Sequence, residues 1–275
     1  MLDRTRIFPE AQTVLRVFLE EADRHAPDVF PDVYVIGSMA LDDALPGKSD
    51  IDLLLVYPSA VDAGEVMAAL NPAMERVRKM YPEPALDGMA LSQADLATGP
   101  AKMEGPRPVI FEGKLELSEE GSARNPVTWQ TLRQGGITWR GTPVAELDLH
   151  HDETLLRDWV RGNLEGYWRP LWRKSGSLLS RGGQWSLRDD FIEWVVLGVT
   201  RLHATITTGE VVSKTGAGDY ALRTFPDYWH LIVREALDIR SNPERKRSLY
   251  RRDVLGRRKE ARDYVAMVIE DALGR

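Results

Sequence analysis

Cysteine is absent from this chain of 275 residues, which excludes disulfide bonds and thiolate metal sites and suits a reducing compartment. No apolar run reaches the roughly 18 residues that a membrane-spanning helix needs. The opening segment MLDRTRIFPE is too highly charged for a secretory signal peptide. Internal repeats and low-complexity tracts are also missing. Together these absences predict a soluble, cytoplasmic, globular protein.

Charge is distributed unequally along the chain. Residues 1–120 contain 11 Lys and Arg against 22 Asp and Glu, whereas residues 121–275 contain 25 against 20. An acidic part joined to a basic part fits an enzyme that gathers cations on one wall and phosphates on the other. Two ordinary solvated surfaces would explain the same counts.

Apolar periodicity divides the chain near residue 120. The first part predicts helices at residues 9–26 and 62–80 and buried strands at residues 33–36, 51–57 and 85–91. It also predicts a hairpin over residues 108–117 that turns at Glu112–Gly113. The second part predicts only helices, at residues 127–133, 152–172, 187–208, 214–222, 226–239 and 243–273. The expected fold class is therefore α+β. A domain with a mixed β-sheet flanked by helices occupies residues 1–120, and a C-terminal α-helical bundle occupies residues 121–275.

Two aspartates stand at the mouth of the apolar strand predicted for residues 51–57. Asp50 and Asp52 are two residues apart, so on a strand they project to the same face. Neighbouring carboxylates repel each other and stay ionised together only beside a cation. Mg²⁺ is the expected cation because it prefers hard oxygen ligands and shares its coordination sphere with waters and substrate phosphates. A strand-entry turn with solvated acids is the alternative interpretation.

A Gly-Ser pair follows the strand predicted for residues 33–36 and precedes these acids. The exposed backbone N–H groups of such a turn and the Ser38 hydroxyl are suited to hold phosphate oxygens. Gly37 lets the backbone approach a ligand closely because it has no side chain. A phosphate cradle beside a carboxylate pair is what nucleotidyl transfer requires.

The order Gly-Ser, spacer, Ser-Asp-Ile-Asp at the head of an apolar strand resembles the DNA-polymerase-β-like nucleotidyltransferase superfamily. Within it, the chain is similar to the streptomycin/spectinomycin branch, the aminoglycoside adenylyltransferases. Asp87, in Ala85-Leu86-Asp87, stands where those enzymes carry a third acidic residue. Residues 128–141 (TWQTLRQGGITWRG) look like their crossover segment, and residues 199–222 (VTRLHATITTGEVVSKTGAGDYAL) match their C-terminal helical region. The resemblance covers most of the chain from about Val33 to Arg240.

The resemblance implies a role for each motif residue. The magnesium ligands would be Asp50, Asp52 and Asp87, and Asp87 would also act as the general base that takes a proton from the acceptor hydroxyl. The nucleotide would be held by Gly37, Ser38, Ser49, Lys214 and Arg240. The implied reaction is Mg²⁺-dependent transfer of AMP from ATP to a hydroxyl of a small aminoglycoside or aminocyclitol, with release of pyrophosphate.

The segment GGQWSLRDDF (182–191) is the candidate acceptor site. Trp185 offers a ring face, and Asp189 and Asp190 offer carboxylates. Polyamine sugars bind to such groups through cation–π contacts and charged hydrogen bonds. A helix start enriched in acids explains the two aspartates equally well.

Other interpretations of these residues stay open. Asp87 stands where the related enzymes usually carry Glu, which leaves a catalytically impaired, nucleotide-binding regulatory homologue as the alternative function. Lys214 follows Ser213, which could simply cap a helix. The basic run of residues 241–264 fits a solvated helix face, and its two aromatic residues, Tyr250 and Tyr264, are too few for a nucleic-acid platform. Transfer to RNA or protein is a third hypothesis.

Overall fold

The computed structural model describes residues 4–121, 123–242 and 244–275. The chain divides into two compact units, Met1–Asp152 and Glu153–Arg275. The predicted boundary at residue 120 therefore lies about thirty residues too early. The reason is that residues 137–140 form a strand that pairs with a strand at residues 32–35, which ties this stretch to the first unit.

The first unit contains both strands and helices. Its strands are β1 (Asp32–Val35), β2 (Ile51–Tyr57), β3 (Leu86–Ser92), β4 (Arg107–Phe111), β5 (Lys114–Ser118) and β6 (Ile137–Arg140). Its helices are α1 (Pro9–His25), α2 (Gly37–Ala40), α3 (Ala63–Met80), α4 (Gln93–Thr98) and α5 (Pro126–Gly135).

The six strands form one mixed sheet in the order β5-β4-β3-β2-β1-β6. β2 and β3 run parallel, and the other neighbouring pairs are antiparallel. The predicted mixed sheet is confirmed. The hairpin between β4 and β5 turns at Glu112–Gly113, as the sequence predicts, and both turn residues have positive φ.

Helices cover both faces of this sheet. Buried residues of α1 and α3 pack with Leu53 and Leu55 of β2 on one face. On the opposite face, Trp129 and Leu132 of α5 pack with Leu54 of β2. Because alternate residues of a strand point to opposite faces, Asp52 and Leu54 share the face that α5 covers.

The second unit is helical. Its helices are α6 (Glu153–Asn163), α7 (Arg169–Lys174), α8 (Arg181–Trp185), α9 (Asp189–Thr208), α10 (Lys214–Thr224), α11 (His230–Ser241) and α12 (Val254–Ala272), with a π-helical turn at Leu164–Trp168. The core of the unit includes Phe191 and Val195 of α9, Ile232 of α11, and Tyr264 and Val268 of α12.

The last helix is shorter than predicted. The sequence predicts it from residue 243, but Pro243 lies outside the described residues and α12 begins only at Val254. The Ser248 hydroxyl and the Leu249 N–H donate hydrogen bonds of 2.7 and 2.8 Å to the Glu235 carboxylate. These contacts hold the preceding loop against α11 instead of letting it continue the helix.

Within the described ranges, none of the helices combines the length and the apolarity needed to cross a membrane.

Candidate active site

Asp52 and Asp87 lie opposite each other on the two parallel strands. They are direct partners in the register between β2 and β3. Asp52 shares a face with Leu54, and Asp87 shares a face with Met89; both apolar residues belong to the same cluster on the α5 side. Neighbouring strands are about 4.8 Å apart, so the sheet brings two carboxylates together that are 35 residues apart in sequence.

Gly37 is fitted against one of these carboxylates. Its φ is +63°, a left-handed conformation that favours glycine. A Cβ at this position would lie 1.8 Å from Oδ2 of Asp52. The turn after β1 therefore approaches the acid closely only because residue 37 has no side chain. The Gly-Ser turn therefore lies next to Asp52, as the sequence predicts.

Asp87 is held in a partly buried position with incomplete hydrogen bonding. Burial raises the pKa of Asp87, although the backbone N–H groups of Glu112 and Gly113 oppose this by hydrogen-bonding its carboxylate; the charge of Glu112 adds to the increase. The Oδ1 atom of Asp87 is buried and finds no hydrogen-bond partner anywhere in the described part of the chain. A buried carboxylate oxygen without a hydrogen-bond partner is a group that the protein by itself leaves unsatisfied.

Asp50 and Ser49 lie just before β2. Asp50 is exposed. The Ser49 hydroxyl accepts a hydrogen bond of 2.9 Å from the N–H of Leu45, and the Ser49 N–H donates one of 2.9 Å to the Leu45 carbonyl. Ser49 thus closes the loop that leads into β2, a local role that the sequence analysis does not foresee.

The carboxylate oxygens of the site suit a Mg²⁺ ion that is coordinated jointly by the protein, waters and substrate phosphates, rather than by the protein alone. Among residues 4–121, 123–242 and 244–275, no three His, Asp or Glu side chains converge into a ready metal site. Mg²⁺ usually keeps several waters and binds through one or two carboxylates together with substrate phosphates. The paired Asp52 and Asp87, with the enclosed Oδ1 of Asp87, fit such an ion.

The two basic residues predicted for the nucleotide lie around one acid in the second unit. The Glu193 carboxylate, on α9, is 3.7 Å from Nζ of Lys214 and 3.4 Å from Nη1 of Arg240. Arg240 also donates to the Thr215 hydroxyl at 3.2 Å. The side chain of Lys214 is 35% exposed, whereas that of Arg240 is 6% exposed. Lys214 is therefore the one that a solvent-borne phosphate can reach.

Ser213 caps the helix on which Lys214 lies. Its hydroxyl accepts a hydrogen bond of 2.9 Å from the N–H of Gly216. Ser213 is therefore the N-cap of α10, and Lys214 is the first residue of this helix. A capped helix start and a phosphate contact are compatible, because the cap uses the serine and leaves the lysine ammonium at the helix terminus.

The three acceptor candidates have different surroundings. The Trp185 indole lies 5.3 Å from the ring of Trp194 in a stacked arrangement and donates a hydrogen bond of 3.3 Å to Asp190. Asp190 also accepts one of 3.0 Å from Arg188. Asp189 instead forms an ion pair with Arg257. The structure therefore brings Trp185 and Asp190 together, and both aspartates pair with an arginine, Asp190 with Arg188 and Asp189 with Arg257.

Sequence reasoning missed two residues around these groups. Arg6 pairs with Asp42 and donates to the carbonyls of Ala40 and Gly135 at 2.6 and 3.0 Å, which fixes the segment after the Gly-Ser turn. Glu193 is only 5% exposed although its side chain ends in a carboxyl group. The only signal in the sequence was a glutamate among the apolar residues of a predicted helix, which is also what an ordinary amphipathic helix contains.

Comparisons with known proteins identify two similar regions in the chain. A family model described as "Nucleotidyltransferase domain" matches residues 15–97, and one described as "Aminoglycoside adenylyltransferase, C-terminal domain" matches residues 166–266. The first range contains Gly37, Asp52 and Asp87, and the second contains Lys214 and Arg240.

A solved structure shows the same fold. It is the spectinomycin adenyltransferase of Enterococcus faecialis with ATP and spectinomycin, which matches at 14% identity and a TM-score of 0.57, over 93% of this chain and 99% of that one. A search of curated proteins finds no match. The chain thus carries a region similar to a nucleotidyltransferase domain, followed by a region similar to the C-terminal domain of aminoglycoside adenylyltransferases.

Proposed function

We propose that this enzyme transfers AMP from ATP to a hydroxyl group of a small, aminated acceptor and releases pyrophosphate. The observation that carries the proposal is the pairing of Asp52 with Asp87, beside Gly37, inside a nucleotidyltransferase domain. A phosphate-binding turn next to two carboxylates supplies the groups that this transfer needs.

Asp50, Asp52 and Asp87 are the proposed magnesium ligands. When bound, Mg²⁺ would neutralise the charge that develops on the phosphate oxygens. The protein contributes by keeping the carboxylates of Asp52 and Asp87 at fixed positions on adjacent strands, so that little reorganisation is required during the reaction. Asp50, exposed just before β2, is the third proposed ligand, although it forms no converged group with the other two carboxylates among the described residues.

Asp87 is also the proposed general base. Its pKa is raised by burial, which brings the carboxylate closer to the basicity that proton abstraction near neutral pH requires. Its side chain is one methylene shorter than the glutamate usual in the family. The two backbone N–H groups of the Glu112–Gly113 turn orient it, so the turn limits the positions from which it can accept a proton.

The triphosphate is proposed to lie along Gly37 and Ser38 of the first unit, and Lys214 of the second unit is a separate proposed phosphate contact. Gly37 and Ser38 provide backbone N–H groups and a hydroxyl, and Lys214 provides a reachable ammonium. Arg240, which was expected to contact phosphate directly, is nearly enclosed by Glu193 and Thr215. We assign it the indirect role of neutralising Glu193 next to Lys214.

The proposed acceptor is aminoglycoside-like. The solved relative carries ATP and spectinomycin, and an amino sugar in this chain would find the ring of Trp185 and the carboxylate of Asp190 next to each other. Asp189 completes the proposed acceptor set, although its ion pair with Arg257 gives it a mainly structural role. The regulatory alternative is not favoured, because the paired carboxylates, the glycine turn and the lysine are all retained.

The test is pyrophosphate release with ATP and Mg²⁺ across a panel of streptomycin, spectinomycin and other aminocyclitols. Wild-type protein should release pyrophosphate with at least one acceptor. Asp50→Asn and Asp52→Asn should each lower that rate by about 1,000-fold while the circular dichroism spectrum stays unchanged. Full turnover in either variant would refute the assignment, and ATP binding without product across the panel would support the regulatory alternative.

A further inference from the structure

The second unit contains a basic cavity that shares only Asp189 with the residues assigned to the proposed reaction. Its volume is about 240 Å³, and it lies beside the loop between α11 and α12. Its wall carries five cationic side chains against the single carboxylate of Asp189: Arg245, Lys246, Arg247, Arg251 and Arg257. A concave surface with this excess of positive charge concentrates anions.

Glu235 is buried beneath the wall of the cavity and stabilises it. It is fully buried, and its carboxylate accepts hydrogen bonds from Arg245 at 2.7 Å and from Arg257 at 3.0 Å, in addition to those from Ser248 and Leu249. Burial acts to raise the pKa of Glu235, but these hydrogen bonds outweigh it and the pKa is lowered. The ionised carboxylate therefore fixes the loop and two of the five cations.

The remaining cations of the wall are not neutralised in this way. Lys246, Arg247 and Arg251 are exposed, and none of the three forms an ion pair with another residue in the described part of the chain. The fixed arginines, Arg245 and Arg257, are balanced by Glu235 and Asp189 together with Asp238. The unbalanced charge therefore belongs to the three side chains at the surface of the cavity.

Two further features point to an oxyanion rather than to any anion. Arg257 is 5% exposed and lines the cavity, and its Nε–H is a buried donor without an acceptor among the described residues. Val254, the first residue of the 19-residue helix α12, also lines the cavity, so the positive end of the helix dipole lies at its edge. Guanidinium groups and helix N-termini both match the geometry of phosphate oxygens.

We propose that this cavity is a binding site for a small phosphate-class anion, such as inorganic phosphate or pyrophosphate. Lys246, Arg247 and Arg251 supply the net charge, and the Glu235-centred network keeps the loop ready for binding. The site lies wholly within the second unit and does not depend on the proposed function.

The test uses isothermal titration calorimetry on the full chain, with EDTA present and ionic strength held constant with potassium chloride. Potassium phosphate and potassium pyrophosphate are titrated separately into wild type and into a Lys246→Ala, Arg247→Ala, Arg251→Ala triple variant. The triple variant should bind the anion that the wild type binds, but with an affinity that is lower by about tenfold or more. Comparison of the two titrations distinguishes free phosphate from pyrophosphate as the ligand.

The control variant removes the same charge elsewhere in the second unit. Arg161→Ala, Arg173→Ala and Arg223→Ala are exposed positions that do not line the cavity, and their combination should leave anion affinity within about twofold of wild type. An equal loss in both triple variants would mean a general charge effect and would overturn the proposal, as would no binding by wild type. A single-stranded oligonucleotide that binds more tightly than either anion, with a steep salt dependence, would also overturn it.

Discussion

Asp87 in the first unit and Glu235 in the second are both acids withdrawn from water, yet their surroundings differ. Glu235 receives hydrogen bonds from two arginines, a serine hydroxyl and a backbone N–H, and its pKa is lowered. Asp87 is oriented by two backbone N–H groups, keeps one buried oxygen without a partner, and has a raised pKa. An acid that the protein neutralises by itself is structural, whereas one left incompletely satisfied is available for chemistry.

The largest effect should come from removing the charge of Asp87. Asp87→Asn should lower pyrophosphate release by about 1,000-fold, since both the base and a magnesium ligand are lost. Glu235→Gln should leave the turnover of the protein that stays folded close to wild type. Steady-state kinetics at a fixed, folded concentration checks this, and a comparable loss of turnover in both variants would erase the distinction.

For stability, the larger loss should come from Glu235→Gln rather than from Asp87→Asn. Glu235→Gln removes the central charge between Arg245 and Arg257, which leaves two nearly enclosed cations. We expect the free energy of unfolding to fall by about 3 kcal/mol, because breaking one side of a buried ion pair leaves charge uncompensated. Urea denaturation followed by circular dichroism measures it. A loss below roughly 0.5 kcal/mol would show that Asp189 and Asp238 compensate fully.

A pair of glycine variants extends the comparison to the backbone. Gly37 and Gly47 have positive φ values of +63° and +76°, but a Cβ at Gly37 would overlap Asp52, whereas one at Gly47 meets nothing within 4 Å. Both alanine variants should cost ~1 kcal/mol of backbone strain. Only Gly37→Ala should lower turnover, by about 100-fold, because it displaces Asp52. Similar kinetics in the two variants would mean that the close approach does not matter.

The smallest effect concerns the dependence of stability on pH. The pKa of Asp87 is raised above its ordinary value of 3.8, so the folded state binds its proton more tightly and stability is lost as pH rises through that higher pKa. In EDTA, Asp87→Asn should therefore be slightly more stable than wild type at neutral pH. The difference should disappear below about pH 3.8. Thermal unfolding across this range tests the sign.

Glu235 should show the reverse dependence. Its pKa is lowered below 4.5, so its contribution is present above that value and is lost as pH falls through the folded pKa. The stability deficit of Glu235→Gln should accordingly shrink in acid. If both variants moved in the same direction with pH, the contrast between the two acids would be wrong.

The local elements of the first unit were readable from the sequence because their signals are short-range. β2 was predicted over the residues it occupies, since an apolar run follows the acids directly. α3 was predicted at its observed start, where Asp62 accepts hydrogen bonds from the N–H groups of Gly64 and Glu65. Alternation and capping depend on neighbouring residues, which any single sequence displays.

Other elements were missed because distant partners create them. β6 has four residues and follows two glycines, and it exists as a strand only because it pairs with β1, about a hundred positions earlier. α8 lies between two of the predicted helices, where the sequence predicts no helix. The sequence predicts a direct phosphate contact for Arg240. In the structure its guanidinium instead donates a hydrogen bond to Glu193, which is 47 positions away in the chain.

The sequence by itself determined the carboxylate strand, the glycine turn, the helical second half and the resemblance that implies nucleotidyl transfer. Only the tertiary structure decided that Asp87 stands opposite Asp52, that Gly37 lies against Asp52, and that Glu193 and Glu235 gather the arginines and the lysine around them. The physical reason is that periodicity and caps are encoded within a few residues. Strand register and burial of charge instead depend on which distant segments the folded chain brings into contact.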